Sequence, residues 1–199
     1  MDKIIFATKN KNKIKEINEI MKDTDFEVIS MEEAGIKIDV EETGITFEEN
    51  AILKSQAIAK ISGAIVLSDD SGLEIDYLDK APGVYSSRFL GEDTPYSFKN
   101  NHIIKLLEEV PDEKRTARFV SVIAATLPNG DTFTVRGTIE GVIAYQQAGD
   151  NGFGYDPIFF VPEYNMTTAQ MSSEQKNAIS HRGKALRAMK DKLIEHLLK

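Results

Sequence analysis

The fold is indicated by one stretch of the chain, residues 46–72, which reads TFEENAILKSQAIAKISGAIVLSDDSG. The stretch opens with a capping box, in which Thr46 can cap a helix and the side chain of Glu49 can reach back to it. A helix should begin there and run to about Ile61. The apolar run at 64–67 then predicts a buried strand that ends in the motif SDDSG at 68–72. The acidic pair Asp69-Asp70 at the end of this strand is therefore a candidate for a functional site.

The segments on either side continue the alternation of strand and helix. Residues 4–7 read as a buried strand, and the segment after Asn10 carries apolar residues at helical spacing. The turn at 128–131 contains Asn-Gly, which suits the primed turn of a long β-hairpin. The sequence therefore predicts an α/β fold with a mixed central β-sheet and flanking helices. The length fits one domain over residues 1–199 or two closely joined lobes.

The composition is that of an ordinary globular protein, with 41% hydrophobic and 28% charged residues. No cysteine occurs, which excludes disulfides and thiolate sites. The net charge of −8 opposes binding to nucleic acid, since Lys and Arg neutralise its phosphates. The first apolar run is too short for a signal peptide or a membrane span. We expect a cytoplasmic protein that binds neither nucleic acid nor a membrane.

Two acidic pairs are candidates for holding a metal ion. Asp69-Asp70 follows the predicted strand, and adjacent carboxylates repel each other unless a cation or a proton is shared between them. Glu41-Glu42 is the second pair, and carboxylate oxygens are the ligands that Mg²⁺ prefers. The alternative is that both pairs are solvated surface charge.

Three lysines lie in residues 8–13, a segment that could bind a phosphate. The segment Thr8-Lys9-Asn10-Lys11-Asn12-Lys13 joins the first strand to the first helix, and a helix start favours an anion. It lacks the GxxxxGK[ST] pattern of a P-loop, and it could also be a polar, solubilising helix start. Lys54 lies beside the apolar stripe of the second helix, from which it could reach solvent or a ligand.

Two later segments could bind a nucleoside. The loop Gly152-Phe153-Gly154-Tyr155-Asp156-Pro157 combines a flexible backbone with aromatic rings that suit a flat base, although structural loops use the same residues. His181 and Arg182 lie in the first turn of the last helix, and Lys176 stands just upstream. A cation opposes the dipole at that end of a helix, so Arg182 needs an acceptor nearby.

In chain order, these motifs strongly resemble the inosine/xanthosine triphosphate pyrophosphatase family, over nearly the whole chain. The resemblance rests on Thr8-x-Asn10-x-x-Lys13, Glu41-Glu42-Thr43-Gly44, Thr46-Phe47-x-Glu49-Asn50-Ala51, Asp69-Asp70-Ser71-Gly72-Leu73, Ala81-Pro82-Gly83-x-Tyr85-Ser86, Gly152-Phe153-Gly154-Tyr155-Asp156-Pro157 and Ser180-His181-Arg182. The chain departs from the family at Lys9, where many members have glycine.

The resemblance implies two lobes around a substrate cleft, a homodimer, and Mg²⁺-dependent conversion of a purine nucleoside triphosphate to the monophosphate and pyrophosphate. The implied substrates are ITP, dITP and XTP, and the implied role is sanitation of the nucleotide pool. Asp70 looks like the general base and a metal ligand, Glu41 like the second metal ligand, and Ser71 like a substrate contact. The implied phosphate contacts are Thr8, Lys9, Asn10, Lys11, Asn12, Lys13 and Lys54, and the implied nucleoside contacts are Phe153, Gly154, Tyr155, Asp156, Lys176, His181 and Arg182.

Other functional classes fit the sequence less well. Asp70-Ser71-Gly72 mimics an aspartic protease signature, but such enzymes pair two carboxylates across β-rich lobes, and only one copy occurs. A phosphatase that uses an aspartyl nucleophile would carry the motif Asp-x-Asp, whereas in this chain the residue two positions after Asp70 is Gly72. Outside enzymology, the alternative is a nucleotide-binding sensor that does not turn its ligand over.

Overall fold

The structure is a computed structural model that describes residues 2–22 and 26–197. Its strands are β1 (Asp2–Phe6), β2 (Phe26–Ser30), β3 (Ile65–Ile75), β4 (Thr116–Thr126), β5 (Thr132–Ile143), β6 (Phe159–Val161) and β7 (Met166–Thr167). Its α-helices are α1 (Lys11–Met21), α2 (Phe47–Ser62), α3 (Tyr96–Leu106), α4 (Ser173–Ile179) and α5 (His181–Leu197). No helix in these ranges is long and apolar enough to cross a membrane.

The strands form one mixed sheet in the order β2-β1-β3-β4-β5-β6-β7. β1 pairs in parallel with both β2 and β3, and β6 pairs antiparallel with β5 and β7. A parallel pair needs a crossover, and α1 and α2 supply helices between those strands. The predicted α/β fold with a mixed central sheet is confirmed.

The chain divides into two compact units. The first unit comprises Met1–Asp70, Ser121–Gly137 and His181–Lys199, and the second comprises Ser71–Val120 and Thr138–Ser180. Each unit has its own apolar core. In the first unit the core includes Ile4, Leu67 and Leu186, and in the second it includes Leu73, Ile103 and Phe159.

The helix starts that the sequence indicates are confirmed. The side chain of Asn10 caps α1 by accepting from the backbone N–H groups of Asn12 and Lys13. The capping box of α2 is present in both directions between Thr46 and Glu49. The predicted hairpin is present as β4 and β5, with the Gly130 N–H donating to the Leu127 carbonyl across the turn.

The position of the acidic pair differs from the prediction, because β3 continues to Ile75 and places Asp69 and Asp70 inside the strand. The parallel register with β1 does end at Leu67, whose carbonyl accepts from the Ala7 N–H at 2.7 Å. The prediction of a strand end was therefore wrong for β3 as a whole and right for its pairing with β1. The strand continues beyond that point next to β4, its other hydrogen-bonded neighbour in the sheet. The side chain of Asp69 pairs there with Lys13 and Arg182.

Candidate functional site

Asp69 lies at the centre of a buried ion-pair network in the first unit. Its Oδ2 atom is 2.9 Å from Lys13 Nζ and 3.1 Å from a terminal nitrogen of Arg182. Its Oδ1 atom accepts a hydrogen bond from Ser121 Oγ at 2.8 Å. Burial alone would raise the pKa of Asp69, but the charges of Arg182 and Lys13 outweigh it and hold that pKa well below its ordinary value. Asp69 is therefore a permanent anion that holds two cations.

Arg182 has a second acidic partner. Its guanidinium also forms an ion pair with Glu16 of α1, and only 2% of the Arg182 side chain is exposed. Two carboxylates therefore surround one buried guanidinium, which is the acceptor arrangement that a cation in the first turn of α5 requires. The structure thus gives Arg182 an internal role, which adds to the predicted nucleoside contact.

Asp70 has a different environment from its neighbour. Its Oδ1 atom lies 3.8 Å from Lys54 Nζ, which also forms an ion pair with Glu42 and donates to the Asp69 carbonyl at 2.8 Å. Burial raises the pKa of Asp70 to about 6, with Glu42 and Asp69 acting in the same direction and Lys54 and Lys13 against it. A carboxyl with a pKa this close to neutrality is suited to accept a proton.

The acidic segment that contains Glu42 is held against α2 by Asn50. The side chain of Asn50 is fully buried, and its Oδ1 atom accepts from the Gly44 N–H at 2.8 Å. A Cβ atom on Gly44 would lie 2.7 Å from that oxygen, so only glycine allows so close an approach. The contact brings Glu42 to Lys54, one helical turn beyond Asn50.

The carboxylates near Asp70 fit a hard divalent cation that keeps most of its ligands as water or substrate oxygens. Within 2–22 and 26–197, no group of three or more His, Asp or Glu residues could hold a metal by itself. Mg²⁺ often needs only one or two carboxylates, and the like charges that raise the pKa of Asp70 would be relieved by a cation. Glu42 contacts Lys54, whereas Glu41 is exposed. The assignment of Glu41 as a ligand stays a prediction.

The predicted phosphate loop divides into buried and exposed members. Lys13 points into the ion-pair network, and burial lowers its pKa, with Lys54 and Arg182 acting in the same direction. Lys9 instead pairs with Asp39 at the surface, at 3.0 Å. Thr8 is partly exposed, and its Oγ1 atom accepts from the Asn10 N–H at 3.2 Å. Asn10, Lys11 and Asn12 are exposed.

His181 begins α5 and is buried in the first unit. Gly137 of β5 passes so close that a Cβ atom there would lie 2.2 Å from the His181 carbonyl oxygen. The glycine therefore sets how closely the start of α5 approaches the sheet. Neither Gly137 nor this contact is evident from the sequence pattern.

Asp156 is buried in the glycine-rich loop, which lies in the second unit. Its Oδ2 atom accepts from the Phe153 N–H at 2.8 Å and from Lys176 Nζ at 2.7 Å, and its Oδ1 atom accepts from Thr168 Oγ1 at 2.7 Å. Gly152, at a φ of +71°, passes directly over this carboxylate. Asp156 was predicted as a nucleoside contact, and both of its carboxylate oxygens accept hydrogen bonds from protein donors.

The two aromatic residues of the loop differ in burial. Phe153 is partly exposed, and Lys176 Nζ lies 5.0 Å from its ring centroid, which is a cation–π distance. Tyr155 is buried and donates from its hydroxyl to the Ser86 carbonyl at 2.7 Å. Gly154 is partly exposed, with its carbonyl accepting from the side chain of Asn100 at 3.1 Å. Phe153 is the aromatic residue of this loop that a flat base could reach.

Several residues around Asp69 and around Asp156 were not predicted from the sequence. Ser71, which it did select, is partly exposed just after Asp70 in β3. The missed residues are Glu16, Asp69 as an ion-pair centre, Ser121, Gly137 and Thr168. The one available signal was Arg182 in the first turn of the last helix, since a cation there opposes the helix dipole and needs an acceptor nearby. Nothing in the sequence indicates that the acceptors are Asp69 and Glu16.

Replacing Asp70 by asparagine should stabilise the protein in the presence of a chelator. At about 1.4 kcal/mol per pKa unit, a folded-state pKa of about 6 against an ordinary 3.8 costs the wild type about 3 kcal/mol above pH 7. The raised pKa favours the neutral acid, so the cost disappears as the pH falls through 6 towards 4. Urea unfolding at pH 8 and at pH 4 should show the gain for Asp70→Asn at pH 8 only.

Asp39→Asn is the matched control, because the Asp39 side chain is 88% exposed. That variant should show no comparable gain at pH 8. Equal stability of wild type and Asp70→Asn at pH 8 would contradict the raised pKa.

Comparisons with known proteins show which family the chain belongs to. The Ham1 family model matches residues 4–192. A dITP/XTP pyrophosphatase of Clostridium perfringens is 49% identical over 97% of this chain and 98% of its own length. One from Bacillus cereus is 47% identical over 100% of this chain and 98% of its own length.

Solved structures show the same fold. A HAM1 protein from Coxiella burnetii superposes with a TM-score of 0.88 at 42% identity, covering 98% of this chain and 100% of that one. The Ham1 protein of Staphylococcus aureus gives a TM-score of 0.87 at 42% identity with the same coverage. The likeness extends over both units of the chain.

Proposed function

This chain belongs to the Ham1 family, and we propose that it hydrolyses deaminated purine nucleoside triphosphates, namely ITP, dITP and XTP, to the monophosphate and pyrophosphate. The observation that carries the proposal is the buried carboxyl of Asp70, whose pKa is raised to about 6 beside Lys54. The relatives from Clostridium perfringens and Bacillus cereus, each matched over 98% of its length, are dITP/XTP pyrophosphatases. The proposed role is to remove such nucleotides from the pool used for DNA and RNA synthesis.

Asp70 is the proposed general base. Its carboxylate would take the proton from the attacking water, and its pKa gives it the charged form at neutral pH while keeping it basic enough to act. Lys54 and Lys13 lie close enough to affect the Asp70 pKa, and their positive charges would also attract the anionic phosphates. Ser71, Thr8 and Asn10 are the proposed polar contacts to the substrate, together with the exposed cations Lys9 and Lys11 and the amide of Asn12.

We propose Mg²⁺ as the divalent cation, with Asp70 and Glu41 as its protein ligands. When bound, the ion supplies positive charge to the phosphate oxygens and makes a coordinated water more acidic. The residues of this chain still have to hold the substrate and accept the proton. Lys54 already bridges the carboxylates of Glu42 and Asp70, so it keeps the acidic residues together before any ligand binds.

Base selection is assigned to the residues around Phe153 and to His181 and Arg182. A 6-oxo group of hypoxanthine or xanthine accepts hydrogen bonds, whereas the 6-amino group of adenine would meet the same donors with its own hydrogens. Phe153 offers a partly exposed ring, held at its backbone by Asp156. Lys176 Nζ lies 5.0 Å from the centroid of that ring, and Lys176, Gly154 and Tyr155 are further proposed contacts to the nucleoside.

The test is hydrolysis of ITP, XTP and ATP by the purified protein with Mg²⁺ in oxygen-18 water. Water attack at the α-phosphorus puts the label in the nucleoside monophosphate and leaves pyrophosphate unlabelled. A site built to hydrogen-bond an oxo group can discriminate by roughly 10⁴, so kcat/KM for ATP should be lower than for ITP by about that factor.

Two results would count against release of pyrophosphate, and a third against the base selectivity. Nucleoside diphosphate and labelled orthophosphate as first products would indicate attack at the γ end. Tight binding of ITP without any product would indicate a sensor. Comparable kcat/KM values for ATP and ITP would remove the proposed base selectivity while leaving the hydrolysis in place.

A homodimer and a cytoplasmic location complete the proposal. The family resemblance supports the dimer, and light scattering on a gel-filtration peak would give twice the mass of the 22.2 kDa chain. A location in the cytoplasm follows from the nucleotide substrate. An elution mass of one chain at micromolar concentration would contradict the dimer.

A further inference from the structure

The loop that carries Phe153 is fixed by one buried carboxylate. Asp156 is 2% exposed, and three donors approach its two oxygens. The Phe153 N–H and the Lys176 ammonium share Oδ2, while the Thr168 hydroxyl donates to Oδ1. The backbone of Gly152 packs directly against Oδ2, where a Cβ atom would lie only 2.1 Å from that oxygen. The orientation of this carboxylate therefore sets the positions of both Phe153 and Lys176.

Thr168 is the donor that fixes that orientation. It lies directly after β7, is 2% exposed, and its Oγ1 atom is 2.7 Å from Asp156 Oδ1. Its own backbone is anchored, because the Thr168 N–H donates to the Phe159 carbonyl at 2.9 Å. A carboxylate can rotate about its Cβ–Cγ bond, and a hydroxyl held on an anchored backbone stops that rotation.

We propose that Thr168 is a positioning residue for the nucleobase: through Asp156, its hydroxyl holds the Phe153 backbone and the Lys176 ammonium in the geometry that binds the base. The inference rests on the proposed function for its catalytic consequence, though not for the positioning itself. Thr168 acts through Asp156, whose Oδ1 atom and carbonyl oxygen lie 2.7 Å and 3.2 Å from its hydroxyl. Losing its hydroxyl should therefore weaken substrate binding more than turnover.

The experiment compares Thr168→Val with Thr168→Ser and with Thr167→Val. Valine removes the hydroxyl with little change of shape, and serine restores it. Thr167 is the matched control, since it is also 2% exposed and its Oγ1 atom donates to the Ala148 carbonyl at 2.6 Å, away from Asp156. Each valine variant removes one buried hydroxyl, and Thr168→Val should lose more stability in urea unfolding, because the Thr168 hydroxyl donates to a carboxylate and the Thr167 hydroxyl to a neutral carbonyl.

The expected result is a split between KM and kcat. Thr168→Val should raise the KM for ITP about tenfold with kcat within about twofold of wild type, the pattern of lost ground-state binding. Thr168→Ser should restore the wild-type KM, and Thr167→Val should leave it unchanged. Equal KM increases in the two valine variants, or none in either, would overturn the proposal.

Amide hydrogen exchange tests the positioning without any turnover. The Phe153 N–H donates to Asp156, so its exchange should speed up about tenfold in Thr168→Val relative to Thr167→Val. Unchanged protection of that amide would overturn the inference even in an active enzyme. A wild type that releases no pyrophosphate from ITP, with the exchange difference present, would overturn the proposed function and leave the positioning role of Thr168 in place.

Discussion

Asp70→Asn should lower kcat for ITP by about 10²–10⁴-fold, the range that a positioned general base supplies. Asparagine has the shape of the aspartate but cannot accept a proton or carry the charge that a metal ion requires. The side chain is buried beside Lys54, so the substitution leaves the packing of β3 intact. Steady-state rates of pyrophosphate release, measured with a circular dichroism spectrum to confirm the fold, give the comparison.

The surface variant Asp39→Asn controls for the loss of one negative charge from the chain. It should retain wild-type kcat, because the Asp39 side chain is 88% exposed and its ion-pair partner Lys9 is a proposed substrate contact, whose disturbance would change KM. A folded Asp70→Asn protein that kept more than about a tenth of wild-type kcat would remove Asp70 from the role of base.

Asp69→Asn should have its largest effect on stability rather than on turnover. Removing one partner of a buried ion pair typically costs about 3–5 kcal/mol, because the remaining charge is left without compensation. Here the cations are Lys13 and Arg182, with side chains 15% and 2% exposed. Urea unfolding at pH 7 should show that loss, in the opposite direction to the gain expected for Asp70→Asn with a chelator.

A double-mutant cycle identifies the source of the loss. Arg182→Met removes the guanidinium, and the cost of Asp69→Asn should be smaller in that background because less buried charge is left unpaired. Arg118→Met is the control background, since Arg118 pairs with Asp76 and Glu140 in the second unit. Costs of Asp69→Asn that are equal in both backgrounds would contradict the network.

Several elements of the fold could be predicted from the sequence because their causes are local. The capping box of Thr46 and Glu49 lies within four consecutive residues, and the backbone N–H groups that it satisfies belong to the same turn. The hairpin follows from Asn129-Gly130 between two apolar runs. On α5, Leu186, Met189 and Leu193 recur at helical spacing and are buried, whereas Leu197, the last residue of the helix, is 42% exposed. The order of the motifs also indicated the family.

The chemistry of the acidic pair was decided by tertiary structure. Asp69 and Asp70 are neighbours of the same type, so no local pattern distinguishes them. Their pKa values move in opposite directions because Arg182, 113 positions away, and Lys13 lie against Asp69, whereas desolvation dominates at Asp70. The same holds for Thr168 and Asp156, which meet because β7 returns the chain to the loop.

The sequence by itself determined where α1, α2 and α5 begin and where the hairpin turns, since each of these depends on residues a few positions apart. It also determined which family the chain resembles, through the order of motifs along nearly the whole chain. Only the tertiary structure decided which carboxylate is a fixed counter-ion and which can take up a proton. The reason is physical: the energy of a buried charge depends on every cation and dipole within a few ångströms. Those neighbours come from α1, α2 and α5, and their positions exist only once the chain has folded.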